Sequence, residues 1–188
     1  IFTQTYAQST TPAPLQQPSL VFTGKMDYRP NVDAMLWFAD EILPQVDDAH
    51  LTIVGQRPHA RIQHLPRRDN ITLTGWVDAI PPYLHAADVY VAPLRMGSGT
   101  RLKILEAMAS GCAIVATSTA AAGLDDPTEA LLIADSATEF ADCINALLSD
   151  PTRRAELGAR AQAYVKAHYD WSVLIPRLLT AYQEVGLG

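Results

Sequence analysis

From residue 19 onward the chain alternates short apolar runs with longer segments in which apolar positions recur every three or four residues. The runs SLVFTG, AHLTIVG, NITLTGWV, DVYVAPL, AIVAT and ALLIA, several of them rich in β-branched residues, predict strands. The segments between them predict helices over 30–44, 81–87, 100–110 and 138–149. Pro30 suits the first turn of a helix, where its missing N–H costs nothing, and Asp150-Pro151 opens a long helix in the same way. A last helix follows, with Asp170 or Ser172 as its cap. Several strand runs are apolar throughout, not alternating, so both of their faces must be covered. The expected fold is therefore α/β: a Rossmann-like, doubly wound parallel sheet of about six strands flanked by helices, with further helices at the C-terminus.

The first eighteen residues, IFTQTYAQSTTPAPLQQP, are polar and proline-rich and keep neither period, so they read as a linker or interdomain segment. Residues 19–170 form the expected domain and 171–188 a terminal helix. The chain shows no internal repeat, and beyond the leader no low-complexity tract.

Composition narrows the function classes. Hydrophobic residues make up 48% of the 188 and charged residues 18%, enough for one real core. Fourteen basic against twenty acidic residues, a formal charge of -6, argue against a broad nucleic-acid or anionic-lipid surface and leave room for a local anion pocket. Cys112 and Cys143 lack metal-ligand spacing and are expected to be reduced, buried thiols. No signal peptide opens the sequence, and the uncharged stretch 107–124 is broken by Gly, Ser and Thr, so a cytoplasmic location is expected.

In open parallel sheets ligands sit beyond the carboxyl ends of the strands. The residues there are Gly24-Lys25, Gly55-Gln56-Arg57, Gly75-Trp76-Val77 and the segment from Pro93 to Thr100. The last is the most informative, because PLRMGSGTRLKILEAMASG runs from a strand end through a glycine-rich turn directly into a helix. Gly97 and Gly99 permit positive φ or close backbone approach, and Ser98 or Thr100 can cap the helix. Unpaired N–H groups and the positive end of the helix dipole then make a phosphate or diphosphate site, to which Arg101 and Lys103 add charge. A glycine-rich turn taken alone is more often a plain capped turn. Glu106 supplies context: at 1.5 Å per residue it lies roughly 9 to 10 Å along the helix, about the span from a diphosphate to a ribose. It falls at the edge of a stripe of Leu102, Ile104, Leu105, Met108 and Ala109, where an ordinary solvated glutamate would also fit. Lys25 and Arg29 bracket the loop after the first strand, as cations for an anionic ligand or as plain surface residues.

The ordered set FTGKMDYRPN, LTIVG, ITLTGWV, ADVYVAPL and GTRLKILEAMASGCAIVAT resembles the C-terminal domain of family 4 glycosyltransferases of the GT-B fold. The likeness spans about 19–171 and is most specific in LEAMASGCAIVAT. It implies a nucleoside diphosphate sugar as donor substrate, no other cofactor and no metal, and transfer with retention. Donor contacts would fall among Gly24, Lys25, Arg29, Gly75, Val77, Pro93, Gly97, Ser98, Gly99, Thr100, Arg101, Lys103 and Glu106. The second glutamate of the family's Glu-x7-Glu motif, the ribose contact, falls on Glu106. The first falls on Ser98, which cannot supply its charge, so donor contacts are expected from backbone amides, Thr100 and basic side chains. Lys25 takes the position of the family's usual arginine and Asn31 falls near that of its lysine, with Arg29 as a substitute. The resemblance also implies an N-terminal GT-B acceptor domain, absent here, as the partner. Without it the chain is expected to be inactive, and any peripheral contact with the inner face of the membrane would pass through it. The helix after Asp170-Trp171-Ser172 would pack towards it and in isolation expose an apolar face.

Competing signals are weaker. His50, His59, His64, His85 and His168 show no metal-ligand spacing and no Asp-x-Asp occurs; these histidines read as surface or supporting residues. Asp47-Asp48 and Asp125-Asp126 fall at element ends and receive no catalytic role. Trp76 and Tyr83 are aromatic residues near the Gly75 turn that would line a base pocket or pack locally, the backbone around Trp76 and Val77 being better placed to read the base. A dinucleotide oxidoreductase is disfavoured because no G-x-G-x-x-G follows the first strand. A non-catalytic nucleotide-sugar sensor is the alternative that Ser98 and the missing domain permit.

Overall fold

The computed structural model describes residues 5–7, 10–97, 99, 102–184 and 186. Six parallel strands form one sheet in the order β3-β2-β1-β4-β5-β6: β1 Ser19–Thr23, β2 His50–Val54, β3 Ile71–Leu73, β4 Val89–Ala92, β5 Ile114–Ala116 and β6 Leu132–Ile133. Every residue of β1, β2, β4 and β5 is buried, the burial that their unbroken apolar character requires. The edge strands β3 and β6 are shorter than the runs NITLTGWV and ALLIA, since each has a neighbour on one side only. At the centre the Thr23 and Tyr90 hydroxyls are 2.9 Å apart, tying β1 to β4 within the core.

The helices are α1 Arg29–Trp37, α2 Pro81–Ala86, α3 Leu102–Ala109, α4 Ser118–Ala121, α5 Ala137–Leu148, α6 Pro151–Tyr169 and α7 Trp171–Glu184. They fall into two groups. α1 and the turns after it pack on α5, where Trp37 and Phe38 meet Phe140 edge-on at ring distances of 6.3 and 6.1 Å. On α3 packs α6: Gln162 Nε2 donates to the Ala109 carbonyl at 3.2 Å. The turn that ends α3 also touches α2, through Cys112 Sγ on the Leu84 carbonyl.

Local chemistry accounts for where the sequence expectation and the fold part. The helix expected over 30–44 is α-helical only to Trp37; a π-helix, Phe38–Ile42, and a 3₁₀ turn, Leu43–Gln45, complete it. Pro44 has no N–H for the Asp40 carbonyl and its ring would crowd that oxygen, so the turns before it must depart from α geometry. The short helix α4 was not foreseen; Thr117 caps it by accepting the Ala120 N–H at 3.1 Å. α5 opens with a full capping box of Ser136 and Glu139, and Asp150 caps α6 by accepting from the Arg153 N–H. Asp170, not Ser172, takes the capping role before α7, accepting from the Ser172 N–H at 3.1 Å. Cys112 is buried, which pushes its thiol up to about 12, but Cys143 is only half-buried because it sits at the margin of α5's packed face. His50 is not a surface residue: it is buried at the start of β2, with Nε2 2.8 Å from Thr72 Oγ1, and burial lowers its pKa.

The contact of α6 with the α3–β5 turn is close enough to require glycine. A Cβ on Gly158 would stand 2.1 Å from the Gly111 carbonyl oxygen, which is backbone and cannot swing aside. Gly158→Ala should therefore lower stability by about 1–3 kcal/mol in urea denaturation, in spite of alanine's better helix propensity. An unchanged or raised midpoint would show that α6 docks more loosely.

Candidate functional site

The strand order reverses between β1 and β4: β1 leads outward to β2 and β4 outward to β5, leaving a crevice at their carboxyl ends. Gly24 and Lys25 follow β1 into this crevice, and Pro93 follows β4. Gly97 and Gly99 adopt φ of +115° and +80°, the conformations expected of the turn before α3. Ser98, Thr100 and Arg101 lie outside the described residues.

Lys103, in the first turn of α3, reaches across the switch point. Its Nζ donates to Asn31 Oδ1 at 2.7 Å and lies 4.2 Å from the centre of the Phe22 ring. Asn31 in turn donates through Nδ2 to the Lys25 carbonyl at 2.8 Å. One buried amide thus joins the ammonium of α3 to the loop after β1. Gly24 is what makes room: a Cβ there would lie 2.6 Å from Asn31 Nδ2 and 2.7 Å from Lys103 Nζ. Lys25 and Arg29 are exposed, Lys25 on the rim of the crevice and Arg29 as the first residue of α1.

Glu106 is half-buried one turn further along α3, where its Oε1 accepts from the Tyr6 hydroxyl at 2.9 Å. Burial raises the carboxyl's pKa, while the Tyr6 hydrogen bond and the charge of Lys103 oppose that rise. It is therefore not the fully solvated helix glutamate weighed against the ribose contact. Tyr6 comes from the leader, whose position is fixed at two further points: His85 Nε2 donates to the Tyr6 carbonyl at 2.8 Å, and the Ala13 N–H donates to the Pro82 carbonyl at 2.9 Å. Leu102, expected in the buried stripe of α3, is 61% exposed, because it opens the helix ahead of the packed residues Ile104, Leu105, Ala107, Met108 and Ala109.

Beside Lys25 a cleft of about 280 Å³ runs along the ends of β1, β2 and β3, lined by Gly24, Lys25, Gln56, Gly75, Trp76 and Val77 among others. Gly55 and Gly75 pair across it in an antiparallel bridge. Trp76 is 68% exposed on its rim. Tyr83 does not line it: its ring faces a separate hollow with Leu15, His50 and Thr72, because the leader passes over that side of α2. A larger hollow of about 530 Å³ lies against α6, where Asp125, Asp126 and Glu129 outnumber the basic Arg160 and His168, a lining less suited to an anionic ligand. Among the described residues no group of three or more His, Cys, Asp or Glu stands close enough to hold a metal ion, and no helix is long and apolar enough to cross a membrane.

Of the residues singled out in the sequence, Gly24, Lys25, Gly75 and Val77 come together in one cleft, and Lys103 and Glu106 lie on one helix beside it. Two residues of the site were not among them. Asn31 is a short polar side chain in the first turn of α1, detectable only as a departure from the expected lysine. Tyr6 is one aromatic residue in a polar leader, and its reach to Glu106, one hundred positions away, leaves no periodic trace.

Residues 17–150 match the family described as Glycosyl transferases group 1. The chain belongs to that family. Curated relatives include the GDP-mannose-dependent alpha-(1-6)-phosphatidylinositol monomannoside mannosyltransferase of Mycobacterium tuberculosis, 28% identical over 87% of this chain and 46% of the relative. Another is the phosphatidyl-myo-inositol mannosyltransferase of Mycobacterium leprae, 30% identical over 89% of this chain and 46% of the relative. The chain thus spans about half the length of the curated relatives it matches. Among solved structures, the sucrose-phosphate synthase of Thermosynechococcus elongatus superposes with a TM-score of 0.73 at 24% identity, over 93% of this chain and 47% of that one. The C-terminal domain of a glycosyl transferase group 1 family protein from Francisella tularensis superposes with a TM-score of 0.66 at 21% identity, over 90% of this chain and 98% of that one. These likenesses establish the GT-B, Rossmann-like fold.

The dependence of the Lys103–Asn31 pair on Gly24 can be measured directly. Gly24→Ala should displace both side chains and lower stability by about 1–3 kcal/mol in chemical denaturation. Lys25→Ala, at an exposed side chain, should stay within about 0.5 kcal/mol of the parent. Equal effects of the two changes would show that the amide bridge is not held by the space at Gly24.

Proposed function

We propose that this chain is the donor-binding domain of a retaining glycosyltransferase that takes a sugar from a nucleoside diphosphate sugar, with GDP-mannose the donor that the relatives' names favour. The observation that carries the reading is the pair of side chains on α3: Lys103 at the switch-point crevice and Glu106, half-buried, further along the helix. The spacing suits a diphosphate at the helix start and a ribose beside the carboxylate, with the base over the cleft at Gly75 and Val77.

In this reading the protein's contribution to the chemistry is electrostatic. Negative charge grows on the departing diphosphate as the glycosidic bond breaks, and Lys103, prealigned by Asn31, meets it without reorganising. Lys25 on the rim adds a second, solvated cation. Amides of the glycine-rich turn, with Thr100 and Arg101, would complete the anion site. Glu106 fixes the nucleotide by accepting from the vicinal ribose hydroxyls, so that binding energy from the nucleotide orients the reacting end.

The acceptor belongs to a second domain in this proposal, which fits a chain half as long as its relatives. α7 supports it, since Ile175, Leu178, Leu179 and Tyr182 are all about half exposed along that helix, an apolar face suited to a packed partner.

Thermal-shift measurements with a panel of nucleotide sugars should show stabilisation by GDP-mannose above that by UDP-sugars. Glu106→Ala should weaken nucleoside diphosphate binding by about 1–3 kcal/mol, the cost of losing hydrogen bonds to a charged group. Stabilisation by no member of the panel, or unchanged affinity in a folded Glu106→Ala variant, would remove this assignment.

A further inference from the structure

Resting on the reading of Glu106 as the ribose contact, we propose that Tyr6 is the positioning residue that holds the Glu106 carboxylate ready for the nucleotide. The geometry is specific. The Tyr6 hydroxyl donates to one oxygen, Oε1, at 2.9 Å. That leaves Oε2 to accept from a ribose hydroxyl, and it fixes the plane of a carboxylate that would otherwise turn about its side-chain bonds. The Tyr6 backbone is anchored from another helix, by His85 Nε2 of α2 on its carbonyl oxygen at 2.8 Å.

The same Tyr6–Glu106 bond opposes the effect of burial on the carboxyl. Among the described residues, the groups acting on Glu106 are the Tyr6 phenol from the leader and Lys103 on its own helix; Tyr90 of β4 also senses its charge. Burial favours the neutral acid, which would accept poorly from a ribose hydroxyl. Tyr6 and Lys103 favour the carboxylate, which accepts well. Burial and the nearby carboxylate in turn keep Tyr6 protonated, and so a donor, far above neutral pH. A leader segment that reads as a connector therefore carries a side chain that completes the nucleotide site.

An opposite role is conceivable for such a contact, in which the leader occupies the carboxylate and must leave before the nucleotide enters. The two roles differ in sign, so Tyr6→Phe separates them: it keeps the ring and its burial and removes only the hydroxyl. Calorimetric titration of the whole chain with GDP, and with UDP in parallel, is expected to give about 3- to 10-fold weaker binding in Tyr6→Phe, the range of one hydrogen bond. On a Glu106→Gln background, itself weakened, Tyr6→Phe is expected to add little, since both changes remove the same arrangement.

The pH profile supplies a readout that a merely structural role would not move. Affinity falls as pH drops and Glu106 takes up a proton. Without the phenol the carboxyl's pKa rises further, so the pH at which half the affinity is lost should be higher in Tyr6→Phe than in the parent. Tighter binding in Tyr6→Phe would establish the obstructing role and overturn the proposal. Unchanged affinity and an unchanged pH profile, with Glu106→Gln still weakened, would overturn the proposal and leave the nucleotide site standing. Unchanged affinity in Glu106→Gln would overturn both.

Discussion

The organisation of the molecule depends on one constraint, the reversal of strand order between β1 and β4. A parallel sheet must be covered on both faces, and right-handed crossovers that run outward in both directions from its centre place the helices after β1 and β4 on opposite sides. The gap between them cannot be closed by packing, and two loops and a helix start meet around it. The Lys103–Asn31 hydrogen bond spans that gap, which is why a single absent Cβ, at Gly24, bears on the whole arrangement. The same buried amide binds the Lys25 carbonyl, so the loop after β1 and the first turn of α3 are fixed relative to one another before any ligand arrives.

Electrostatics at the gap follow from its burial. The chain as a whole is acidic, yet the crevice gathers Lys103 and Lys25, and the acidic side chains concentrate elsewhere, as in the hollow against α6. Glu106 is the exception within the site. Burial raises its carboxyl's pKa, and Tyr6 and Lys103 oppose that rise. This balance suits a ligand that carries charge at one end and hydroxyls at the other.

Much of the fold was legible in the sequence, for reasons that can be named. The central strands are apolar at every position because both of their faces are covered, so SLVFTG, LTIVG and VYVA declare themselves. The long helix α6, with its Asp150 cap and Pro151 start, does the same. What escaped was set by contacts remote in sequence or by single local events: the π-helix ahead of Pro44, the four-residue α4, and the burial of His50 against Thr72. The site divides likewise. Lys25, Lys103 and Glu106 stand at strand ends or on a helix face, where position made them candidates beside a plain surface reading and the family resemblance singled them out. Tyr83 took the local packing left open for it, beneath the leader that covers its side of α2, and Tyr6 had no signal because its contact with Glu106 spans one hundred residues. Family membership, shown over residues 17–150, begins after Tyr6 and so gives it no support.

The central claim is that the crevice between β1 and β4 holds a nucleoside diphosphate along α3. A crystal structure of the chain with bound GDP tests it most directly. The diphosphate is expected between Lys103 Nζ and the turn at Gly97 and Gly99, with the ribose hydroxyls on Glu106 and the base at Gly75 and Val77. A nucleotide seated anywhere else, or one in the crevice with its ribose turned away from Glu106, would contradict it.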